Sequence, residues 1–180
     1  QSARTHLALS VAGPIGDLTK TLLAAWSLYG TGNAKGAVEH IDRLDGPDWY
    51  APLKELHAGL ILDAAGMKKE AGKRLEQAMK LDPGWSRAVD AYARWASRND
   101  NIPGAIAAFN SFGQAANGDA LAQLAVKELK AGKPLPPLVK TPQEGAAEVL
   151  FDLGSLLGRQ GGEDLGLLYL QFANWLQPDH

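Results

Sequence analysis

The segment GMKKEAGKRLEQAMKLDPGW, residues 66 to 85, meets itself when it is slid along the chain by 34 residues in either direction. Gly66, Ala71, Leu75 and Ala78 correspond to Gly32, Ala37, Ile41 and Leu44 upstream, and to Asp100, Ala105, Phe109 and Phe112 downstream. The residues before the segment follow the same shift, with Gly59 matching Ala25 and Ala93, and Leu62 matching Leu28 and Ala96. A fixed period of this length means one supersecondary unit used several times, each copy burying an apolar face on its neighbours.

Residues 52 to 85 show the unit most strictly, with Gly59 at position 8, Gly66 at 15, Ala71 at 20, Ala78 at 27 and Pro83 at 32. Gly at position 15 tolerates positive φ, which lets one helix end and its partner start within a few residues. Small side chains at 8, 20 and 27 let helices approach closely, and the proline ends the second helix. This pattern resembles the tetratricopeptide repeat, a helix-turn-helix unit of the same period. The resemblance implies an all-α fold, a right-handed α-solenoid of antiparallel helix pairs. It sets a first repeat at 18–51, a second at 52–85, a third at 86–119 and a fourth at 147–180, in one domain. Extending the register upstream makes residues 1–17 the remnant of a preceding second helix, with Ala3, Leu7 and Ser10 on its inner face and Pro14 near its end.

The register fails over 120–146. GDALAQLAVKELKAG, residues 118 to 132, starts a normal first helix, but KPLPPLVKTPQEGA follows where the second should stand. Pro134, Pro136, Pro137 and Pro142 argue for an extended path. Segment 133–142 is then a strap covering the face left bare by the missing helix, through Leu135, Leu138 and Val139. A docking segment for a partner and a flexible hinge are the alternatives. At the far end, LGLLYLQFANWLQPDH leaves hardly any polar face, so residues 165–176 are expected to contact a second copy or a continuation of the array. The chain is accordingly read as part of a longer bacterial protein.

Composition narrows the function. Eighteen basic against 20 acidic side chains leave a net charge of −2, with no positive field to condense on nucleic acid. Cysteine is absent, which removes thiolate chemistry and Cys-ligated zinc. No apolar run is long enough for direct membrane insertion. The lack of cysteine and of an initiator Met leans toward an exported, periplasmic bacterial protein, with the cytoplasm as alternative. His6, His40, His57 and His180 make no metal or catalytic spacing, and His57 reads as a partly exposed structural imidazole. Glu70 with Glu76, and Glu163 with Asp164, read as solvated faces. No catalytic residue, metal or cofactor is expected.

The resemblance implies a binding groove lined by positions 2, 5, 9, 12 and 13 of each first helix. Carried over, these positions give Leu22, Trp26 and Tyr29 in the first copy and Leu56 and Leu60 in the second. The third copy gives Arg87, Arg94 and Arg98, with Asp90 and Ser97 between them, and the degenerate copy gives Lys130. The alternative for the arginines is a solvated face pairing with Asp90, and for Trp26 and Tyr29 it is packing against a preceding helix or the cut end. The groove would run from apolar to basic and suit a protein or peptide with an acidic or carboxylate end. The reading is a non-catalytic interaction scaffold holding a peptide or helical segment. A structural spacer or dimerisation module using the C-terminal helix is its alternative.

Overall fold

The computed structural model describes residues 13–115 and 120–178, and every regular element among them is helical. In chain order these are α1 Pro14–Gly30, α2 Ala34–Asp42, α3 Tyr50–Ala64, α4 Lys68–Leu81 and α5 Ser86–Arg98. Then come α6 Ile102–Ala115, α7 Ala120–Lys130, α8 Pro142–Arg159 and α9 Glu163–Leu176. The all-α class stands. The expected inner-face residues Ala3, Leu7 and Ser10 lie outside the described residues.

One turn geometry recurs at the end of each first helix. Gly32, Gly66, Gly132 and Gly161 have φ between +75° and +86°, and Asp100 holds the equivalent position at +59°. In every case the next N–H reaches back five residues: Asn33 to Leu28 O, Met67 to Leu62 O, Asn101 to Ala96 O, Lys133 to Glu128 O and Gly162 to Leu157 O, all at 2.9–3.1 Å. This is the Schellman closure, which satisfies carbonyls that a helix end otherwise strands. Asn33 and Asn101 add N-caps, accepting from Gly36 N at 2.9 Å and Gly104 N at 3.0 Å. After Gly132 the same turn is made, but proline rather than a second helix follows.

Two prolines are placed differently from expectation. Pro14 and Pro142 open α1 and α8 within their first turn instead of ending a helix or continuing the strap. The physical reason is that the first helical position has no intrahelical use for an N–H, and proline's fixed φ already suits the helix. Thr141 caps α8 by accepting from Glu144 N at 3.2 Å, while the Glu144 carboxylate accepts from Lys140 N at 2.6 Å.

The chain divides into two compact units where the sequence reading has one domain. One is Ala51–Leu138; the other takes its described residues from Gln1–Tyr50 and Val139–His180.

In the Ala51–Leu138 unit, α3 to α7 pack as successive hairpins. A Cβ on Gly59 would stand 2.6 Å from Leu75 Cδ2, so glycine here lets the Leu75 side chain of α4 seat directly on the α3 backbone. Gly72 likewise leaves room for the Trp95 ring, whose Nε1 donates to Lys68 O at 3.0 Å. Val89, Ala93, Ala96, Ala105, Phe109, Phe112, Leu129 and Leu135 form a buried cluster. His57 is fully buried here, not partly exposed as expected. The apolar residues on both sides of position 57 in α3 take it inside.

The other unit departs from neighbour-only stacking. Helix α1 packs on its own partner α2 and also on α8, and α8 packs on α9. Trp26 is 1% exposed and lies against the first turn of α8, where a Cβ on Gly145 would come within 2.2 Å of the ring. Gly154 of α8 and Gly166 of α9 meet backbone to backbone, a Cβ on either falling 2.8–2.9 Å from the other's carbonyl oxygen. Thr19 and Tyr169 hydroxyls share a hydrogen bond at 3.2 Å, and Gln143 Nε2 donates to Leu176 O at 2.6 Å. Tyr50 closes the unit by donating its phenol to Pro14 O.

Candidate functional site

The sequence-derived groove residues separate by burial. Leu22, Leu56 and Leu60 are at most 2% exposed, as is Trp26, so these four form core and present no surface to a partner. The apolar floor expected from the first two copies is therefore closed. Trp26 is covered by α8, a helix more than 100 residues away in sequence, which the repeat register gives no reason to expect. Tyr29 is half-buried beside it, its ring edge-on to Trp26 at 5.8 Å.

Two of the arginines are committed within the chain. Arg98 Nη2 meets Asp63 Oδ2 at 2.7 Å, joining α5 to α3 with the Asp63 side chain only 7% exposed. Arg94 Nε meets Asp90 Oδ1 at 2.8 Å, the i,i+4 pairing, while its Nη1 donates to Pro136 O at 3.1 Å. The three guanidinium groups thus form no joint carboxylate clamp. Each has its own geometry: Arg98 fixes a helix pair, Arg94 holds the strap, and Arg87 stands half-buried nearer the start of α5.

A cleft of about 700 Å³ lies between α5, the end of α6, α7 and the strap. Phe109, Phe112 and Leu135 line its floor, and Leu121 and Leu124 its α7 wall. These two leucines are 76% and 60% exposed. The rim brings Arg87, Arg94, Lys127 and Lys133 against Asp90 and Glu128, an excess of positive charge over an apolar floor. Lys130 is exposed but does not line this cleft: the face through Leu124, Lys127, Glu128 and Ala131 does, and Lys130 falls beside buried Leu129.

No family model matches the chain, and no curated protein matches it. Among solved structures, "MamA 41-end from Desulfovibrio magneticus RS-1" is similar at a TM-score of 0.49 and 14% identity, over 91% of this chain and 97% of that one. "MamA MSR-1 C2" is similar at a TM-score of 0.41 and 16% identity, over 86% and 93%. Nothing about function passes from either to this chain. The recurring Schellman turns and close-packed hairpins place the architecture. The fold is tetratricopeptide-like.

Leu121 and Leu124 escaped the position rule because it points at residues 2, 5, 9, 12 and 13. Their signal was the missing second helix, since a first helix without its partner leaves apolar residues open that the partner would cover. The strap fills part of that gap. Leu135 is 5% exposed, Leu138 is half-buried, and Leu135 N donates to Ser97 Oγ at 3.0 Å. Val139, the third residue expected in the strap, is buried but belongs to the other unit.

A second recess of about 590 Å³ lies beside Tyr92, lined by Met79, Val89, Ala108 and Phe112. Burial, with a smaller contribution from the Glu76 charge, pushes the Tyr92 phenol above its ordinary value. Its one cation, Lys80, pairs with Glu76 at 2.7 Å. Glu148 and Asp152, one turn apart on α8, are buried acids that sequence reasoning did not single out. Among the described residues no group of three or more His, Cys, Asp or Glu side chains is placed to hold a metal ion. No helix there is long and apolar enough to cross a membrane.

Proposed function

We propose that the protein is a non-catalytic interaction scaffold whose Ala51–Leu138 unit takes an amphipathic, acidic segment of a protein partner into the cleft between α5 and α7. The observation that carries this reading is the exposure of Leu121 and Leu124 at 76% and 60%, beside an apolar floor and beneath a basic rim. Exposed leucines on a cleft wall gain roughly 1–2 kcal/mol each when a partner covers them, and a few such anchors reach micromolar affinity. Lys127, Lys133 and Arg87 would steer an acidic segment and favour it over a basic one.

The test is fluorescence anisotropy with a synthetic helix carrying leucines at i and i+3 flanked by glutamates. Leu121→Asp with Leu124→Asp is expected to weaken binding at least tenfold with circular dichroism unchanged, and Arg87→Glu to weaken it severalfold at low salt. Equal affinity for wild type and the double variant overturns the reading.

A second reading, self-association through α9, is favoured by Trp175 at 77% exposure, Leu167 at 58% and Phe172 at 49%. Sedimentation at several concentrations decides it: Trp175→Glu should abolish concentration-dependent association, and a wild-type monomer throughout removes this reading.

A further inference from the structure

The strap occupies part of the same cleft, and it does so in the manner of a bound peptide. Of residues 134 to 137, Pro-Leu-Pro-Pro, only Leu135 carries a backbone N–H. That N–H is the one donated to Ser97 Oγ at 3.0 Å, in a buried contact. The Ser97 hydroxyl in turn donates to Arg94 O at 2.9 Å, so its proton is spoken for and its lone pair is aimed at an incoming donor. One residue further on, Pro136 O accepts from Arg94 Nη1 at 3.1 Å. Between these two bonds the Leu135 side chain enters the cluster of Val89, Ala93, Phe109 and Phe112.

Arg94 and Ser97 stand three residues apart on α5, on one face, and read one main-chain group from each of two consecutive residues of an extended segment. Pro134 and Pro136 are exposed, so the buried polar contact of the segment is the single Leu135 N–H on Ser97. Pro136 holds the preceding leucine in the extended region, which fixes the geometry that presents this N–H to Ser97. The chemistry is therefore selective: one apolar residue flanked by prolines, its single N–H on Ser97, its neighbour's carbonyl on Arg94.

We infer that this inner part of the cleft is a recognition site for extended Pro-Leu-Pro segments of a partner protein, and that residues 134–137 are its internal, displaceable ligand. The inference rests on the cleft being a docking surface, as proposed above, and adds what its inner half reads. A tethered segment competes at an effective concentration in the millimolar range. Free peptide accordingly gains access only when the strap is loosened.

The probe is a fluorescent peptide of the strap's own sequence, KPLPPLV, titrated into the full chain. Two variants loosen the strap: Leu135→Asp, and the uncharged combination Pro134→Gly, Pro136→Gly and Pro137→Gly. Both are expected to bind the peptide at least tenfold more tightly than wild type does. A peptide with aspartate in place of its first leucine should fail, and Ser97→Ala added to the loosened chain should cost about fivefold. Hydrogen exchange at the Leu135 amide of the glycine variant reports whether the strap has lifted. A protected amide there, or a lifted strap with no gain in peptide affinity, overturns the inference; so does a gain that survives Ser97→Ala together with Arg94→Ala. The acidic helix binding through Leu121 and Leu124 is scored separately on wild type. Its failure alone removes the outer site, and failure of KPLPPLV alone removes the inner one.

Discussion

Asp100 holds φ at +59° in a turn position that glycine holds at residues 32, 66, 132 and 161. A left-handed conformation costs a non-glycine residue about 1–2 kcal/mol, against which glycine's larger unfolded-state entropy costs about 0.5–1 kcal/mol. Asp100→Gly should therefore stabilise the protein by about 0.5 kcal/mol, read as a higher urea midpoint with an unchanged slope. Tyr50 supplies a second residue-scale expectation. Burial, and then the Asp17 charge, raises its phenol above the ordinary 10.0. A raised value in the folded state means that the protonated form is favoured by folding. Stability from this group is then full below pH 10 and lost as pH climbs through the raised value. Tyr50→Phe should lower stability at neutral pH, through loss of the bond to Pro14 O, while flattening the alkaline decline in thermal midpoint. The turn glycines were legible because positive φ is a local demand that one residue type meets. Pro14 and Pro142 were misplaced because proline marks the start of a helix as readily as its end, and position in the helix, not residue type, decides which.

At the level of elements, the pairing of α8 with α9 rests on glycine meeting glycine. A Cβ on Gly154 would lie 2.9 Å from Gly166 O and 3.0 Å from Leu170 Cγ, leaving backbone on one side with no side chain to yield. Gly154→Val should force the helices apart at a cost of about 2–3 kcal/mol, visible as a lower denaturation midpoint and increased exchange along α9. Gly113, whose added Cβ would meet nothing within 4 Å, is the matched control: Gly113→Ala should leave the midpoint the same or raise it. Element type and the missing partner of α7 could be read from the chain, since both follow from period and proline content. The pairing of Arg94 with Asp90, four residues apart on α5, could be read as well, but the roles set by other elements could not. Arg94 and Arg98 share one face of α5, but whether a guanidinium waits for a ligand or is held by Asp63 of α3 or by Pro136 O depends on residues brought up by other elements.

Across the whole molecule, the unit formed by the two ends of the chain separates this protein from a pile of repeats in sequence order. In such a pile the free energy is a sum of local copies and adjacent interfaces, and a lesion in the last copy leaves the first untouched. Here Trp26 of α1 is buried against Gly145 of α8, so the stability of the first hairpin includes a contact whose other half is made only when the last hairpin is in place. The repeat period conceals this, because a register describes what each copy does with its neighbours and is silent on a long-range contact. Gly145→Ala puts a methyl where the Trp26 ring stands 2.2 Å away, and overpacking of that kind costs about 1–3 kcal/mol. Native-state hydrogen exchange should then show lost protection in α1 and in α8 together, with amides of α3 to α5 in the Ala51–Leu138 unit keeping theirs. Loss confined to α8 would mean that the first hairpin stands by itself and that Trp26 only rests on a neighbour it does not need. Joint loss would make the two ends one cooperative body, and would explain why a residue at a groove position of the first copy became core.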